Sequence, residues 1–465
     1  MISGQHVTTP LLTAGAGLLL AVFYSASPLT VCVLLLAVIF CRYAGQGVPA
    51  PERRALLVIL VAALSARLLY VAAIFLAGIP HHNDLSVGAL AGDESYYLSR
   101  ALRARDIALG VTTTKYDYFV ATDEYGRTSY LGLLTAVQVL FGPTPYSMRL
   151  LNALFFVTGA TLLFHIARKA FGSIPAFVGL TTLLFVPSLF VASVSLLKES
   201  LYFLIASLLL VCAIGAARAE TFRRCAIAAA AAAACLWLLN DLRRGALVLA
   251  VAGLVLGFAL RFVAARPWRA LAAGAVLAAG VAAVVWVPSA NARVVDGLTS
   301  AAKTHAGNVF TVGHAYKLMD DGFYMNPESA SVWDVRLTER QAFRFAVRAA
   351  VSFLLTPLPW QMRSTGELAF MPEHLLWYVV LVFLPAGIAA GWKRDALVTA
   401  LLIGYVVPTA AALALTNGNV GTLLRLRGLV TPYLLWLSAL GLVAAANHLA
   451  AGTAMRAFYG ERPAL

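Results

Sequence analysis

The chain has 465 residues, of which 61% are hydrophobic and only 12% charged, and its mean hydropathy is +0.82. A soluble domain is roughly a quarter charged and about half apolar, so this composition excludes a soluble globular protein and predicts a chain that lies mostly in lipid. A net charge of +14 would indicate nucleic-acid binding in a soluble protein. Cytoplasmic loops of membrane proteins are basic whatever their function, so no nucleic-acid partner is expected here.

Long apolar stretches recur along the chain, and about 20 such residues are needed to cross a bilayer. They fall at about 10–26, 28–42, 55–78, 147–167, 174–191, 199–217, 225–240, 245–262, 270–288, 374–392, 396–415 and 428–447. The sequence therefore predicts an all-α, polytopic membrane protein with about 12 transmembrane helices. The predicted segments are an N-terminal membrane hairpin (1–54), a membrane core (55–290) that includes a first outer loop (79–146), a second outer loop (291–373) and C-terminal membrane helices (374–465).

Basic clusters at alternate connections predict the topology. They consist of Arg42 with Arg53 and Arg54, Arg168 and Lys169, Arg218 with Arg223 and Arg224, Arg261 with Arg266 and Arg269, Lys393 and Arg394, and Arg456 with Arg462. Because cytoplasmic loops are enriched in Lys and Arg, both termini are expected in the cytoplasm. The N-terminus, Met1–Pro10, lacks the basic region of a cleavable signal, so the first span is expected to stay.

The two long loops then face the outer side of the membrane. Each contains an apolar stretch that is short for a span, Tyr130–Phe141 in the first loop and Phe345–Trp360 in the second. We expect both to form helices on the outer membrane surface. For the second stretch a re-entrant element is the alternative, and a full crossing would invert everything after it.

The first outer loop carries the densest group of reactive side chains. Gly92-Asp93-Glu94 is a plausible helix start, with acids in the first turn and arginines in later ones. On such a helix Asp93, Tyr97 and Arg100 share one face, because they are separated by four and then three residues. A well-capped surface helix would explain the same pattern without any chemistry.

Several other charged residues also face the outer side, where positive charge is usually depleted. They are Lys198 and Glu199 in one turn, Asn240, Asp241, Arg243 and Arg244 in the next, Arg425 and Arg427 before the last span, and Arg127 and Arg149 around the surface helix. Binding an anionic lipid phosphate would account for the set. Any single arginine is explained as well by snorkelling, or by pairing with one of the loop acids.

In their order and sidedness, these residues resemble the GT-C glycosyltransferases, and they are most similar to the group of protein O-mannosyltransferases and lipid A aminoarabinose transferases. The shared pattern is a long first span, an outer loop with Asp-Glu and then Tyr-Tyr, and an apolar surface helix that ends in Phe-Gly. The segment Arg149-Leu150-Leu151-Asn152-Ala153-Leu154 and the Lys198-Glu199 turn are also similar to that group. The resemblance covers about residues 55–260.

The resemblance implies inverting transfer of a sugar from a polyprenyl-phosphate donor to an acceptor hydroxyl. The first-loop aspartate acts as general base in that family, and Asp93 matches its position. Glu94 would orient Asp93 or substitute for it. Tyr96, Tyr97 and Arg100 would contact either the sugar or the membrane interface. The residues predicted to bind the donor phosphate are Lys198, Arg243, Arg244, Arg127, Arg425 and Arg427.

Beyond about residue 290 the chain departs from the family pattern, and no sizeable soluble C-terminal domain is expected. We assign the second loop to the acceptor, with His314, Asp320 and Asp321 as its candidate residues. No cofactor is expected. Asp84, Asp93 and Glu94 could hold Mg²⁺ or Mn²⁺, but no Asp-x-Asp pair is present here and monophosphate-donor enzymes generally need no metal.

Two other functions stay open at this stage. An O-antigen ligase or polymerase is also polytopic with a large outer loop, but it depends less on an acidic pair in the first loop. A transporter or lipid flippase would call for charges within the spans, which are nearly free of them. The favoured prediction is a cell-envelope glycosyltransferase of a bacterial cytoplasmic membrane, with its active site on the periplasmic or extracellular side. The sugar is undetermined, and the acceptor is a lipid, a glycan or a protein.

Overall fold

The computed structural model describes residues 27–78, 91–123, 128–310, 314–324, 336–362 and 370–460, together with Gly15, Gly17 and Leu368. These residues are almost entirely helical, with short 3-10 turns at Asp321–Phe323 and Pro359–Gln361 and one β-bridge between Ala315 and Asn419. The helices are α1 Pro28–Ala44, α2 Ala50–Gly78, α3 Ala91–Ala108, α4 Lys115–Thr122, α5 Ser129–Phe141, α6 Pro145–Phe171, α7 Ser173–Phe185, α8 Pro187–Val194, α9 Glu199–Ala217, α10 Phe222–Leu242, α11 Ala246–Ala264, α12 Pro267–Trp286, α13 Pro288–Val309, α14 Glu339–Leu355, α15 Met371–Arg394, α16 Ala396–Thr416, α17 Val420–Arg427 and α18 Thr431–Gly460.

Within the described residues, nine helices are long and apolar enough to cross a membrane, namely α2, α6, α9, α10, α11, α12, α15, α16 and α18. The pair α7 and α8 adds a tenth only if it is one broken span, interrupted before Pro187, a residue that cannot continue the helical hydrogen bonding. The prediction of an all-α, polytopic membrane protein is therefore confirmed.

The predicted count of about 12 spans is not confirmed. The apolar helix α1 has 17 residues, fewer than a full crossing usually needs. Most of the first predicted stretch, 10–26, lies outside the described residues.

The helices pack into two compact units. Unit 1 comprises Met1–Phe164 and Leu189–Ala246, and unit 2 comprises His165–Ser188 and Leu247–Leu465. In unit 1, α9 packs along α10, and α3 packs against α4 and α5.

A buried arginine of α2, Arg67, donates from Nε to Ser193 Oγ at 2.8 Å, and its guanidinium lies 4.7 Å from the ring of Phe190. Both contacts allow a charged residue to sit inside an apolar helix bundle.

In unit 2, glycines allow the closest helix contact, between α15 and α18. A β-carbon added at Gly387 would overlap the backbone carbonyl of Leu437, and one added at Gly441 would overlap that of Phe383. Small residues at such crossings let two backbones approach, which is a main source of helix association in membranes.

We expect Gly387→Ala to destabilise the folded protein by at least about 1–3 kcal/mol, because a methyl group would have to displace backbone rather than a flexible side chain. Loss of monodisperse protein on heating in detergent would measure the effect. Gly280→Ala on α12 is the matched control, since nothing lies within 4 Å of its added β-carbon. Equal heat resistance of the two variants would contradict the prediction.

The two apolar stretches predicted as surface helices, 130–141 and 345–360, both occur in helices too short or too polar to count as spans. The first is α5. The second is α14, which begins six residues earlier than the apolar stretch and ends at Leu355. Its early start follows from Thr338, whose side chain accepts from the Gln341 backbone N–H in a capping box.

Candidate functional site

The acidic pair at the start of α3 is divided between two environments. Glu94 is 1% exposed, and its Oε1 accepts from Arg149 Nη1 at 2.8 Å and from the backbone N–H of Leu196 at 2.5 Å. Asp93 is exposed. Glu94 therefore anchors α3 to α6 and to the turn before α9, whereas Asp93 has the accessibility that a general base requires.

Asn152 makes the second set of contacts to the same turn. Its side-chain nitrogen lies 2.6 Å from the Ser195 carbonyl, 3.0 Å from the Leu197 carbonyl and 2.8 Å from Tyr130 Oη. Arg149 and Asn152 are one helical turn apart on α6, so both point to the turn 195–198. We call this group, Glu94, Tyr130, Arg149, Asn152 and the turn 195–198, the first-loop cluster.

The sequence placed Arg149 among the outward-facing charges and Asn152 in a family-like segment, but it did not predict their contacts with Glu94 and the turn 195–198. The spacing of three within an apolar span was the signal that could have identified them. Two polar side chains on one face of a membrane helix must find partners inside the protein. Here those partners are a carboxylate and backbone carbonyls of an irregular turn, whose groups no helix satisfies.

The predicted phosphate-binding residues of unit 1 lie on segments that the first-loop cluster holds together. Lys198 is half-buried at the end of the turn and directly precedes α9. Asp241, near the end of α10, accepts from the backbone N–H of Ser129 at 2.5 Å, next to Tyr130 of the cluster. Arg243, half-buried, and Arg244, exposed, follow that aspartate. Arg127 lies outside the described residues.

The aromatic residues of α3 contact each other and Arg100. The guanidinium of Arg100 is buried, with Nη1 2.5 Å from Tyr96 Oη and Nη2 2.5 Å from the Asp123 carbonyl. The ring of Tyr97 meets those of Tyr96 and Tyr130 edge-on, each at 5.7 Å. The predicted shared face of α3 is therefore not uniform. Asp93 is exposed, Tyr97 is half-buried and Arg100 is buried.

Burial raises the pKa of the Tyr130 phenol, and the nearby carboxylates of Glu199 and Glu94 act in the same direction. This phenol therefore stays protonated and acts as a hydrogen-bonding group of the cluster.

No three His, Cys, Asp or Glu side chains come together as metal ligands in the part of the chain that the structure describes, and Asp84 lies outside it.

The second loop forms a separate cavity within unit 2. Residues 314–316 pair with 418–420 through backbone hydrogen bonds, Tyr316 N–H to the Gly418 carbonyl at 3.0 Å and Val420 N–H to the His314 carbonyl at 2.8 Å. Beside this pairing lies a cavity of about 550 Å³. The polar side chains that line it are His314, Tyr316, Lys317, Ser352, Thr356 and Gln361, and Trp360 lies among them.

The three residues predicted to contact the acceptor have different surroundings. His314 is exposed and lines the cavity. Asp320 accepts two hydrogen bonds from Arg344 of α14, at 3.0 and 3.2 Å, and Asp321 pairs with Lys317 at 3.0 Å. Neither aspartate is among the lining residues. Their ion pairs hold the short 321–323 turn to its surroundings.

Next to the paired segment 418–420, the carbonyl of Asn417 accepts from two side chains, Tyr316 Oη at 2.5 Å and His305 Nδ1 at 2.6 Å. Burial lowers the pKa of His305 to about 4, so its imidazole is neutral at pH 7 and donates to the carbonyl through Nδ1. This arrangement fixes the position of the Tyr316 ring in the cavity wall.

Arg427 is 4% exposed, and it caps the end of α14. It donates to the carbonyls of Phe353 and Ser352, and its guanidinium lies 5.2 Å from the Trp377 ring. Trp377 and Tyr378 of α15 donate to the carbonyls of Leu354 and Leu355, at 2.8 and 2.9 Å. The last four carbonyls of α14 are thus satisfied by side chains.

Burial lowers the pKa of Arg427 to about 10, which still leaves it charged at pH 7. Within the described residues its Nε and Nη1 have no hydrogen-bond partner. Its neighbour Arg425 is half-buried. Both had been predicted to bind the donor phosphate. Arg427 supports the helix that forms one wall of the cavity, and phosphate binding by either arginine stays a prediction.

Comparisons with known proteins give no relative for this chain. No family model matches the sequence, and neither curated proteins nor solved structures give a match.

Proposed function

We propose that the protein is an inverting glycosyltransferase of the GT-C type, acting at the outer face of a bacterial cytoplasmic membrane. It transfers a sugar from a polyprenyl-phosphate donor to an acceptor hydroxyl in the synthesis of a cell-envelope polysaccharide. The observation that carries the proposal is the first-loop cluster. Through Glu94 and its contacts with Arg149 and the Leu196 N–H, it ties the start of α3, where Asp93 is exposed, to the turn that ends in Lys198.

In the proposed reaction, the oxygen of the acceptor hydroxyl attacks the anomeric carbon of the donor. Asp93 accepts the proton of that hydroxyl as the new bond forms. The bond between that carbon and the phosphate oxygen breaks, and its electron pair leaves with the polyprenyl phosphate. Attack on the face opposite the leaving group inverts the anomeric configuration. The phosphate gains negative charge in the transition state, and a cation held beside it lowers the barrier. Lys198, with Arg243 or Arg244, takes this role.

The division between the two acids follows from their burial. A base must reach the substrate hydroxyl directly or through one water. Glu94 is enclosed and neutralises Arg149, so protonating it would leave a buried guanidinium without its counter-charge. Asp93 can take up a proton without disturbing that pair. We therefore assign Asp93 as the base and Glu94 as the residue that positions it.

The direct test is transfer of radiolabelled sugar from polyprenyl-phosphate-linked donors by the purified protein in lipid vesicles, with cell-envelope extract as the source of acceptor. A labelled product whose anomeric configuration is opposite to that of the donor is the expected result. Absence of transfer from every monophosphate donor would contradict the proposal. Release of label only from pyrophosphate-linked glycans would indicate a ligase or polymerase, and movement of intact donor across the vesicle membrane would indicate transport.

Lys198→Met should lower the transfer rate about 10–100-fold, the cost of losing one hydrogen bond between charged groups. Lys198→Arg should recover a large part of the rate, since it restores the charge. Lys303→Met is a matched control, because Lys303 is also half-buried but lies on α13 of the other unit. Initial rates at saturating donor would measure all three. Equal rates for the Lys198→Met and Lys303→Met variants would remove Lys198 from the donor site.

A further inference from the structure

The cavity of the second loop has the size of a ligand site. Its volume of about 550 Å³ falls within the range of roughly 300–1,000 Å³ typical of small-molecule sites. Its residues come from three parts of unit 2, the 314–317 segment, the end of α14 with the turn that follows it, and the start of α17. The whole cavity therefore lies within one compact unit.

The chemistry of the wall suits a sugar better than a lipid tail or an apolar peptide. Hydroxyl, amide, imidazole and ammonium groups line it, and burying these against an acyl chain would leave their hydrogen bonds unmade. Trp360 adds a broad apolar ring, and the residue is 77% exposed. A pyranose offers the matching surfaces, a face of C–H groups for an indole ring and a rim of hydroxyls for the polar groups.

The frame around the cavity is held in place by contacts already described. The 314–316 segment is paired with 418–420, and the Tyr316 phenol is bound to the Asn417 carbonyl. The end of α14, which carries Ser352, is capped by Arg427, Trp377 and Tyr378. A site whose walls are fixed before binding loses little conformational entropy when it takes up a ligand.

We propose that this cavity is a carbohydrate-binding subsite and that the acceptor is a glycan, with Trp360 stacking on one sugar ring. As an acceptor site it rests on the glycosyltransferase function proposed above. It identifies the acceptor class, which the sequence leaves open among lipid, glycan and protein. His314 and Gln361 supply hydrogen bonds to the sugar hydroxyls.

The test is saturation-transfer NMR on the full chain in lipid nanodiscs. The probe is a mixture of the methyl glycosides of glucose, galactose, mannose, rhamnose and N-acetylglucosamine. We expect saturation transfer to at least one glycoside, and binding about tenfold weaker in Trp360→Ala, equivalent to losing one aromatic contact. Trp286→Ala is the matched control, because Trp286 is 79% exposed and ends the apolar helix α12. Its binding should equal that of the wild type.

The same weakening in both tryptophan variants would show that exposed indoles act only as membrane anchors, and would overturn the proposal. No transfer of saturation to any glycoside in the wild type would overturn it too. A His314→Ala variant gives a second measurement, since it should weaken binding without removing the indole. The glycoside mixture contains no sugar donor, so binding is measured separately from transfer. Glycoside binding without any sugar transfer would therefore count against the proposed enzyme and not against the subsite.

Discussion

Replacing Asp93 with Asn is expected to lower sugar transfer about 10²–10⁴-fold, the usual contribution of a general base. The substitution keeps the shape of the side chain but removes its negative charge and with it the ability to take up a proton. Asp93 is exposed at the start of α3, so the folded protein should be as abundant and as stable as the wild type. Single-turnover transfer, with the amount of folded protein matched between samples, measures the effect.

Asp106→Asn is the control on the same helix. Asp106 pairs with its neighbour Arg105 at 2.9 Å near the surface, a type of contact with little effect on stability or chemistry. The transfer rate of the Asp106→Asn variant should stay within about a factor of two of the wild-type rate, because such surface pairs contribute little free energy. Full activity in the Asp93→Asn variant would assign the base elsewhere. A similar loss in both variants would mean that removing any acid from α3 disturbs the loop.

Much of the fold could be predicted from the sequence because the bilayer imposes a simple pattern. A span must be long, apolar and helical, so each of the nine qualifying helices coincides with a predicted apolar stretch. Broken elements were harder to predict. The stretch 174–191 is interrupted at Pro187, and α14 starts in a charged turn that an apolar search passes over.

The site could be predicted only in part, because sequence patterns show which residues are polar but not which of them pair. Asp93 and Glu94 are adjacent acids, and only the contact with Arg149, 55 residues later, distinguishes them. Arg427 gave the same signal as an exposed phosphate-binding arginine, yet it is buried against the end of α14. The cavity combines three segments from a stretch of about 100 residues, and no local pattern predicts that they meet.

Arg149→Met should destabilise the folded protein by about 3–5 kcal/mol, because it leaves the Glu94 carboxylate buried without its partner. The double variant Glu94→Gln with Arg149→Met should recover more than half of that loss. It removes both charges, and the glutamine oxygen still accepts from the Leu196 N–H. Equilibrium unfolding in mixed detergent micelles, titrated with a denaturing detergent, would compare the two.

Arg105→Met is the control for Arg149→Met. It shows whether losing any arginine in contact with α3 destabilises the protein to the same extent. Arg105 pairs with the half-buried Asp106 and donates to the Gln138 carbonyl at 3.1 Å, and its loss leaves no charge fully buried, so the change should cost no more than about 2 kcal/mol. If Arg149→Met were as mild, the first-loop cluster would not be the element that fixes the turn before α9. Lys198 would then have no defined position relative to Asp93. If instead Arg149→Met unfolds the protein while the double variant folds but transfers sugar poorly, the pair serves catalysis by holding those two residues in place.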